Sequence, residues 1–88
     1  MKRAKIDIVY DMLKAALDKG GRILPTHLLY KSNLSHQRMK VYIDELMQRK
    51  LLAQTEHKGK MHYEITDEGR KFVADFAKVK EFTQAFGL

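Results

Sequence analysis

The residues of this chain that are best suited to chemistry are its charged ones. Its 17 lysines and arginines outnumber its 11 aspartates and glutamates, so the net charge is +6 at pH 7. From Lys19 to Ile43 no acidic residue occurs, while five basic residues do: Lys19, Arg22, Lys31, Arg38 and Lys40. Because a solvated surface normally mixes both signs of charge, this segment indicates binding of a polyanion through its electrostatic potential.

No other group of reactive residues forms a pattern typical of catalysis or metal binding. The chain has no cysteine, which excludes disulfides, Cys-ligated zinc, iron–sulfur clusters and thiol chemistry. Its four histidines lack the spacing of a helical zinc pair. Two of them, His57 and His62, flank a predicted hairpin, where exposed strand histidines are the usual interpretation. Gly20-Gly21 lacks the Lys-Ser/Thr that follows in a phosphate-binding loop. We therefore predict no enzyme, no cofactor and no metal.

Length and composition predict one soluble domain. The chain has 88 residues, of which 44% are hydrophobic and 32% charged, and this suffices for a single core. No stretch approaches the roughly 20 apolar residues of a membrane helix. Charged residues interrupt the apolar run from Ile6 to Leu17, so this run is not a signal peptide. We expect a cytoplasmic protein with no membrane partner.

The apolar spacing predicts a long helix near each end of the chain. The first runs from about Arg3 to Lys19, where Gly20-Gly21 ends it. Besides its main apolar face it carries a second apolar stripe on the opposite side, formed by Ile8, Met12 and Ala15. A helix that is apolar on two sides is usually packed on two sides. The last helix follows the capping residue Thr66 and runs from Asp67 to about Phe86.

Two further helices and a hairpin lie between these two. Pro25-Thr26 opens a short helix, with threonine suited to its cap. In the turn that follows, Asn33 tolerates positive φ, and Ser35 caps a third helix that ends near Lys50. Alternation of Met61, Tyr63 and Ile65 with His62 and Glu64 then predicts a strand. The Lys58-Gly59-Lys60 tip joins it to the preceding segment as a two-stranded hairpin.

The order of these elements predicts an α+β winged helix-turn-helix. Three helices and a two-stranded wing occupy residues 1–66, and a C-terminal helix that packs on the same domain occupies residues 67–88. The alternative is a small α+β domain with an incidental hairpin.

Two segments carry a resemblance to a known family. Residues 25–35 contain a threonine, two leucines, a tyrosine and then asparagine, leucine and serine, and residues 63–69 resemble the strand-to-helix junction of many winged-helix regulators. Over roughly residues 3–80, the chain resembles the small archaeal winged-helix family typified by the Sulfolobus chromatin protein of the 10a class. The resemblance implies binding of double-stranded DNA and a homodimer whose last helices pack antiparallel.

The third helix provides candidate residues for contacts with bases. With about 100° per residue and Ile43 facing the core, His36 is expected to point inward and to be structural. The residues expected to point outward are Gln37, Arg38, Val41, Glu45 and Gln48, with Lys40 and Asp44 at the border. The N-terminal half of this face contains no acid, so we expect that end of the helix to enter the major groove.

Each of these side chains suits a particular partner on DNA. Arg38 suits guanine, Gln37 suits adenine and Val41 suits the thymine methyl group, with a phosphate contact as the alternative for each. Ser35 and the first helical amides would hold a phosphate, and the wing would reach the adjacent backbone or minor groove. The residues predicted to contact DNA are Thr26, Tyr30, Lys31, Ser35, Gln37, Arg38, Lys40, Val41, Lys58, Gly59 and Lys60.

The last helix indicates self-association. It holds all four phenylalanines, and its apolar residues, together with Gly69 and Thr83, follow heptad spacing from Gly69 to Phe86. The turns after Lys78 have no obvious partner within the chain. An exposed apolar surface of this size would make a monomer prone to aggregation. The residues predicted to form a homodimer interface are Ile8, Met12, Phe72, Phe76, Val79, Phe82, Thr83 and Phe86. The alternative is a helix that folds back on its own domain.

The sequence leaves the biological role open. A transcriptional regulator and a chromatin-organising protein fit it equally well, and no effector is indicated. A winged helix used for protein–protein contact within transcription or replication machinery is a rival interpretation. Such a module would present an apolar or acidic face on its third helix, whereas this face is basic at its N-terminal end.

Overall fold

Four helices and a small sheet form the structure, which is a computed structural model describing residues 3–88. The first two residues of the predicted 1–66 domain lie outside this part. The elements in chain order are α1 (Lys5–Asp18), β1 (Arg22–Ile23), α2 (Pro25–Ser32), α3 (His36–Gln48), β2 (Leu52–His57), β3 (Lys60–Ile65) and α4 (Asp67–Ala85). The predicted winged helix-turn-helix architecture is confirmed.

The sheet has three antiparallel strands in the order β1-β3-β2. The predicted hairpin is present, with Leu52 paired to Ile65 at its base and His57 paired to Lys60 at its tip. The connecting residues Lys58 and Gly59 both have positive φ, at 53° and 76°, as a two-residue turn that matches strand twist requires. β1 is an addition to the predicted fold, in which Arg22 pairs with Glu64 and Ile23 with Tyr63.

The boundaries of the helices follow local capping chemistry. Asn33 has φ 55°, in the left-handed region. Ser35 Oγ accepts a hydrogen bond from the Arg38 amide at 3.2 Å, and Thr66 Oγ1 accepts one from the Gly69 amide at 3.0 Å. These three predictions are confirmed. The capping role predicted for Thr26 is wrong, because α2 begins one residue earlier, at Pro25, and Leu24 precedes it without a side-chain cap.

Every helix and strand contributes to a single apolar core. The buried apolar residues are Ile8, Val9, Met12, Leu13, Ala16, Ile23, Leu28, Met39, Ile43, Leu46, Leu52, Ile65 and Val73. α1 provides five of them because it contacts α2 and α4 as well as β1 and β3. It is therefore packed on both of its apolar sides, as its two stripes predict.

This packing corrects part of the predicted dimer interface. Ile8 and Met12, which we expected at an interface between two copies, are only 3% and 0% exposed. Both belong to the core of their own domain, so the prediction is wrong for these two residues. Apolar spacing identified a second face on α1, but the cover for that face comes from the same chain.

Gly69 also belongs to the core rather than to the heptad seam. It is buried in the first turn of α4. A Cβ atom at this position would overlap the carbonyl oxygen of Leu51 and would lie 2.7 Å from Cγ1 of Ile65. The close approach of α4 to the start of the hairpin therefore requires glycine here.

Replacement of Gly69 by alanine is expected to lower the free energy of unfolding. Overpacking costs about 1–3 kcal/mol, while alanine gains about 1 kcal/mol of helix propensity over glycine, so the net loss should be about 1 kcal/mol. Urea denaturation followed by circular dichroism measures it. Ala74→Gly, at an exposed position of the same helix, calibrates the propensity contribution. A Gly69→Ala variant more stable than the unmodified protein would contradict this packing.

Candidate nucleic-acid interface

The outer face of α3 is exposed where the sequence predicts it. Gln37, Arg38, Lys40 and Val41 are all exposed, while Met39 and Ile43 on the opposite side are buried. The first two turns of α3 therefore present amide, guanidinium, ammonium and methyl groups to solvent, without a carboxylate among them. These groups are suited to contacts with base edges and phosphates.

His36 departs from the prediction. We expected it to point inward, but it is exposed. It is the first residue of α3, one turn before the buried face begins at Met39. A side chain at this open end of a helix has no neighbouring turn to cover it, so the helical period does not predict its burial.

The N-terminus of α3 can bind an anion. Helix geometry leaves the amides of His36 and Gln37 without intrahelical partners, and the helix dipole favours negative charge there. The Ser35 hydroxyl accepts the Arg38 amide, so its own proton is available to a ligand. On the preceding helix Thr26, Tyr30 and Lys31 are exposed, as a set of backbone contacts requires.

Glu45, which the sequence places on the outer face of α3, forms ion pairs. Its carboxylate is half-buried and accepts a hydrogen bond from Lys5 Nζ on α1, with 2.7 Å to Oε2 and 3.0 Å to Oε1. Arg49 Nε lies 3.4 Å from Oε2. The hydrogen bond from Lys5 is the main cause that lowers the pKa of Glu45, assisted by the charges of Lys5 and Arg49 and opposed by burial. The acid that the sequence places on the outer face is thus paired with two cations.

The wing carries basic residues at its tip and a histidine pair on one face. Lys58, Gly59 and Lys60 are exposed. The rings of His57 and His62 meet across the hairpin, edge to face, with centroids 5.6 Å apart. The positive charge of Arg22 is the main cause that lowers the pKa of His57; burial, Lys58 and His62 act in the same direction. Within residues 3–88 no three residues of metal-ligating type are grouped to hold an ion.

The first half of α4 packs on its own domain. Val73 is in the core, and Phe72 and Phe76 are half-buried. The ring of Phe76 lies 5.2 Å from that of Tyr10 on α1, measured between centroids. Lys80 Nζ lies 4.9 Å from the centroid of Tyr10, within the range of a cation–π contact.

The second half of α4 presents an apolar surface to solvent. Val79 is 53% exposed, Phe82 65% and Phe86 68%, and the last two rings contact each other at 4.9 Å between centroids. Together with Phe72, which lies two turns before Val79, these residues make up what we call the α4 stripe. The half-buried Thr83 beside it donates its hydroxyl proton to the carbonyl oxygen of Lys80. The distal turns do not fold back on their own domain.

These elements define a winged helix-turn-helix protein with an exposed helix 3 and a basic wing. The chain matches the winged helix-turn-helix family over residues 2–84, and it belongs to that family. No helix within residues 3–88 is long and apolar enough to cross a membrane.

Solved structures share this fold at low sequence identity. Sso10a-2, a DNA-binding protein from Sulfolobus solfataricus, is 20% identical and has a TM-score of 0.76, over 97% of this chain and 90% of that one. F93 from STIV, a winged-helix DNA-binding protein, is 21% identical with a TM-score of 0.73, over 91% and 92%. BpsR of Bordetella bronchiseptica is 23% identical with a TM-score of 0.74, over 89% of this chain and 58% of that one. No curated protein matches the chain.

Proposed function

We propose that the chain binds double-stranded DNA as a homodimer, with α3 in the major groove and the wing on the adjacent backbone or minor groove. The observation that carries this proposal is the exposed, acid-free basic surface on the first two turns of α3. Membership of the winged helix-turn-helix family supports it. So does the description of Sso10a-2 and F93, which have the same fold, as DNA-binding proteins.

Three side chains on α3 are assigned to base edges. Arg38 has the paired donors that match guanine O6 and N7, and Gln37 has the amide that matches adenine N6 and N7. Val41, one turn further along, provides an exposed apolar surface for a thymine methyl group. All three are exposed in the free protein, so no rearrangement of the core is needed for them to reach the groove.

The remaining contacts are assigned to phosphates. Ser35 and the free amides of α3 hold one phosphate at the helix N-terminus, and Lys40 follows on the same helix. Thr26, Tyr30 and Lys31 contact the backbone beside it from α2. The wing adds Lys58 and Lys60, while Gly59 allows the tight turn that exposes them both. Such contacts fix the position of the protein without reading sequence.

The homodimer is assigned to the α4 stripe. Three exposed apolar residues in half a helix form a surface that buries well against a second copy. Phe72 and Phe86 each lie seven residues from Val79, and Phe76 and Phe82 each lie three residues from it. An antiparallel pairing with its two-fold axis at Val79 therefore brings aromatic residues together on both sides of the axis. α4 has 19 residues, about 28 Å, so the seam is short.

The role in the cell follows from how strongly the protein prefers one sequence. A transcriptional regulator binds its site far more tightly than random DNA, whereas a chromatin-organising protein binds both similarly. The basic surface provides the affinity in either case. We propose one of these two roles, and the ratio of specific to non-specific affinity at fixed salt separates them.

A salt titration of DNA binding tests the proposal. The logarithm of the binding constant is expected to fall linearly with the logarithm of salt concentration, with a slope of about −0.9 per phosphate neutralised. Fluorescence anisotropy on random and genomic duplexes at several salt concentrations gives both the slope and the specificity ratio. An affinity that does not change between low and physiological salt would contradict binding through the basic surface.

A further inference from the structure

Glu45 is held by two cations from different parts of the chain. Lys5, the first residue of α1, contacts both carboxylate oxygens, at 2.7 and 3.0 Å, although the two residues are 40 positions apart. Arg49, the residue that follows the end of α3, approaches Oε2 at 3.4 Å. Of the two cations, Lys5 makes the closer contact, and it comes from outside the recognition helix.

The Lys5–Glu45 pair lies beside the residues assigned to base edges. Both side chains line a surface concavity of about 330 Å³ that Arg38, Val41 and Tyr42 complete. A phosphate or base that contacts Arg38 and Val41 therefore approaches the Glu45 carboxylate. Unpaired, this carboxylate would repel the DNA backbone along the C-terminal half of α3. Because Lys5 and Arg49 both pair with Glu45, these three side chains together carry one net positive charge.

We propose that Lys5 is a positioning residue of the DNA interface, which holds the Glu45 carboxylate toward α1 and so removes its repulsion from the DNA. This inference rests on the proposed DNA binding. It extends the DNA-facing surface of α3 from Val41, in its acid-free first half, to Glu45 in the turn that follows. Lys5 acts through Glu45 and makes no contact with phosphate of its own.

A double-mutant cycle separates this role from a direct phosphate contact. Lys5→Gln is expected to weaken DNA binding about fivefold at low salt, because it leaves Glu45 with less compensation near the phosphates. Glu45→Gln is expected to bind at least as tightly as the unmodified protein. When Glu45→Gln is already present, adding Lys5→Gln should cause almost no further loss of DNA affinity, because the carboxylate that Lys5 compensates is gone.

Three controls keep the cycle interpretable. Lys14→Gln removes one positive charge and one ion pair from the same helix, where Lys14 Nζ lies 3.2 Å from Asp18, and it should change affinity little. Lys5→Arg should restore binding because it keeps the ion pair. Thermal denaturation of each variant should shift only slightly, since exposed ion pairs contribute little stability.

The outcomes distinguish this inference from the function on which it rests. Equal loss from Lys5→Gln in the presence and in the absence of Glu45 would show a direct phosphate contact and would overturn the positioning role. Unchanged affinity in Lys5→Gln would overturn it as well. If the unmodified protein fails to bind DNA at all, the proposed function fails and the positioning role fails with it.

Discussion

Replacement of Val79 and Phe86 by aspartate in the same chain is expected to convert the protein to a monomer and to remove most of its affinity for DNA. Both side chains are more than half exposed in the single chain. Their replacement should therefore change the free energy of unfolding of the single chain little, so the winged-helix body should remain folded. In the proposed dimer they lie in an apolar seam, where an unpaired carboxylate costs several kcal/mol.

The loss of DNA affinity follows from the loss of the second half-site. A two-fold dimer presents two α3 helices to one duplex, and successive major grooves on one face are roughly 34 Å apart. When the two copies are linked, the second contact forms at a high effective concentration, which can raise overall affinity about 10²–10⁴-fold. A monomer retains only the single, weak half-site.

Sedimentation equilibrium measures the oligomeric state, and anisotropy on the same samples measures DNA binding. Ala74→Asp with Gln84→Asp is the matched control, because it adds the same charge to α4 at exposed positions off the α4 stripe. This control should remain dimeric. An unmodified protein that sediments as a monomer at tens of micromolar would show that the heptad spacing of α4 does not produce a dimer.

The position of the two-fold axis can be measured on the same interface. The chain has no cysteine, so a single Val79→Cys substitution introduces the only thiol. With the axis at Val79, the two thiols face each other and oxidation should cross-link the protomers. Gln84→Cys, off the stripe, should not cross-link. Efficient cross-linking at position 84 and none at position 79 would place the seam on another face of α4.

The helix boundaries could be predicted from the sequence because capping is local. Ser35 and Thr66 each accept an amide three residues ahead, and Asn33 takes the left-handed conformation at the end of α2. Such interactions depend on a few neighbouring residues, whose types are visible in the sequence. The hairpin tip at Lys58-Gly59-Lys60 is predictable for the same reason, although the structure places Lys60 in β3 and leaves a two-residue turn.

Features that depend on distant parts of the chain were missed or misassigned. β1 has two residues, and its partner Glu64 lies 42 positions from Arg22, so no local pattern marks it. Helical periodicity places Ile8 on an apolar face but does not show which chain covers that face. It also places Glu45 on the outer face of α3 but does not report its ion pair with Lys5. The cover of Ile8 and the ion pair of Glu45 form only when α1 packs on the rest of the fold, and β1 forms only when it pairs with β3.

For the candidate interface, the exposure of the side chains could be predicted from the sequence, but the local charge could not. Exposure of Arg38, Lys40 and Val41 follows from their position opposite the buried Met39 and Ile43, which the helical period reports directly. Local charge, however, depends on tertiary ion pairs. Beyond the acid-free segment, the outer face of α3 is therefore less negative than its sequence suggests, because Lys5 and Arg49 pair with Glu45.

Arg38→Ala is expected to differ in kind from the double change Lys58→Ala with Lys60→Ala. Arg38 lies in the first turn of α3 and its side chain is exposed. Within residues 3–88 its guanidinium takes part in no ion pair. If it donates to guanine, its loss should cost about 1–3 kcal/mol at one base position. The preference for that base should then relax, while affinity for unrelated sequences falls much less.

The wing lysines are expected to act on all sequences alike. Each is placed at the exposed tip of the hairpin, where it is expected to neutralise a phosphate, and such a contact does not read sequence. Removal of both should make the salt slope about 1.8 units shallower per protomer, from about 0.9 per phosphate contact. Anisotropy titrations on a panel of single-base variants of a bound site, at two salt concentrations, separate the two patterns. Equal weakening on every duplex for Arg38→Ala would assign it to phosphate, which favours the chromatin-organising role over the regulatory one.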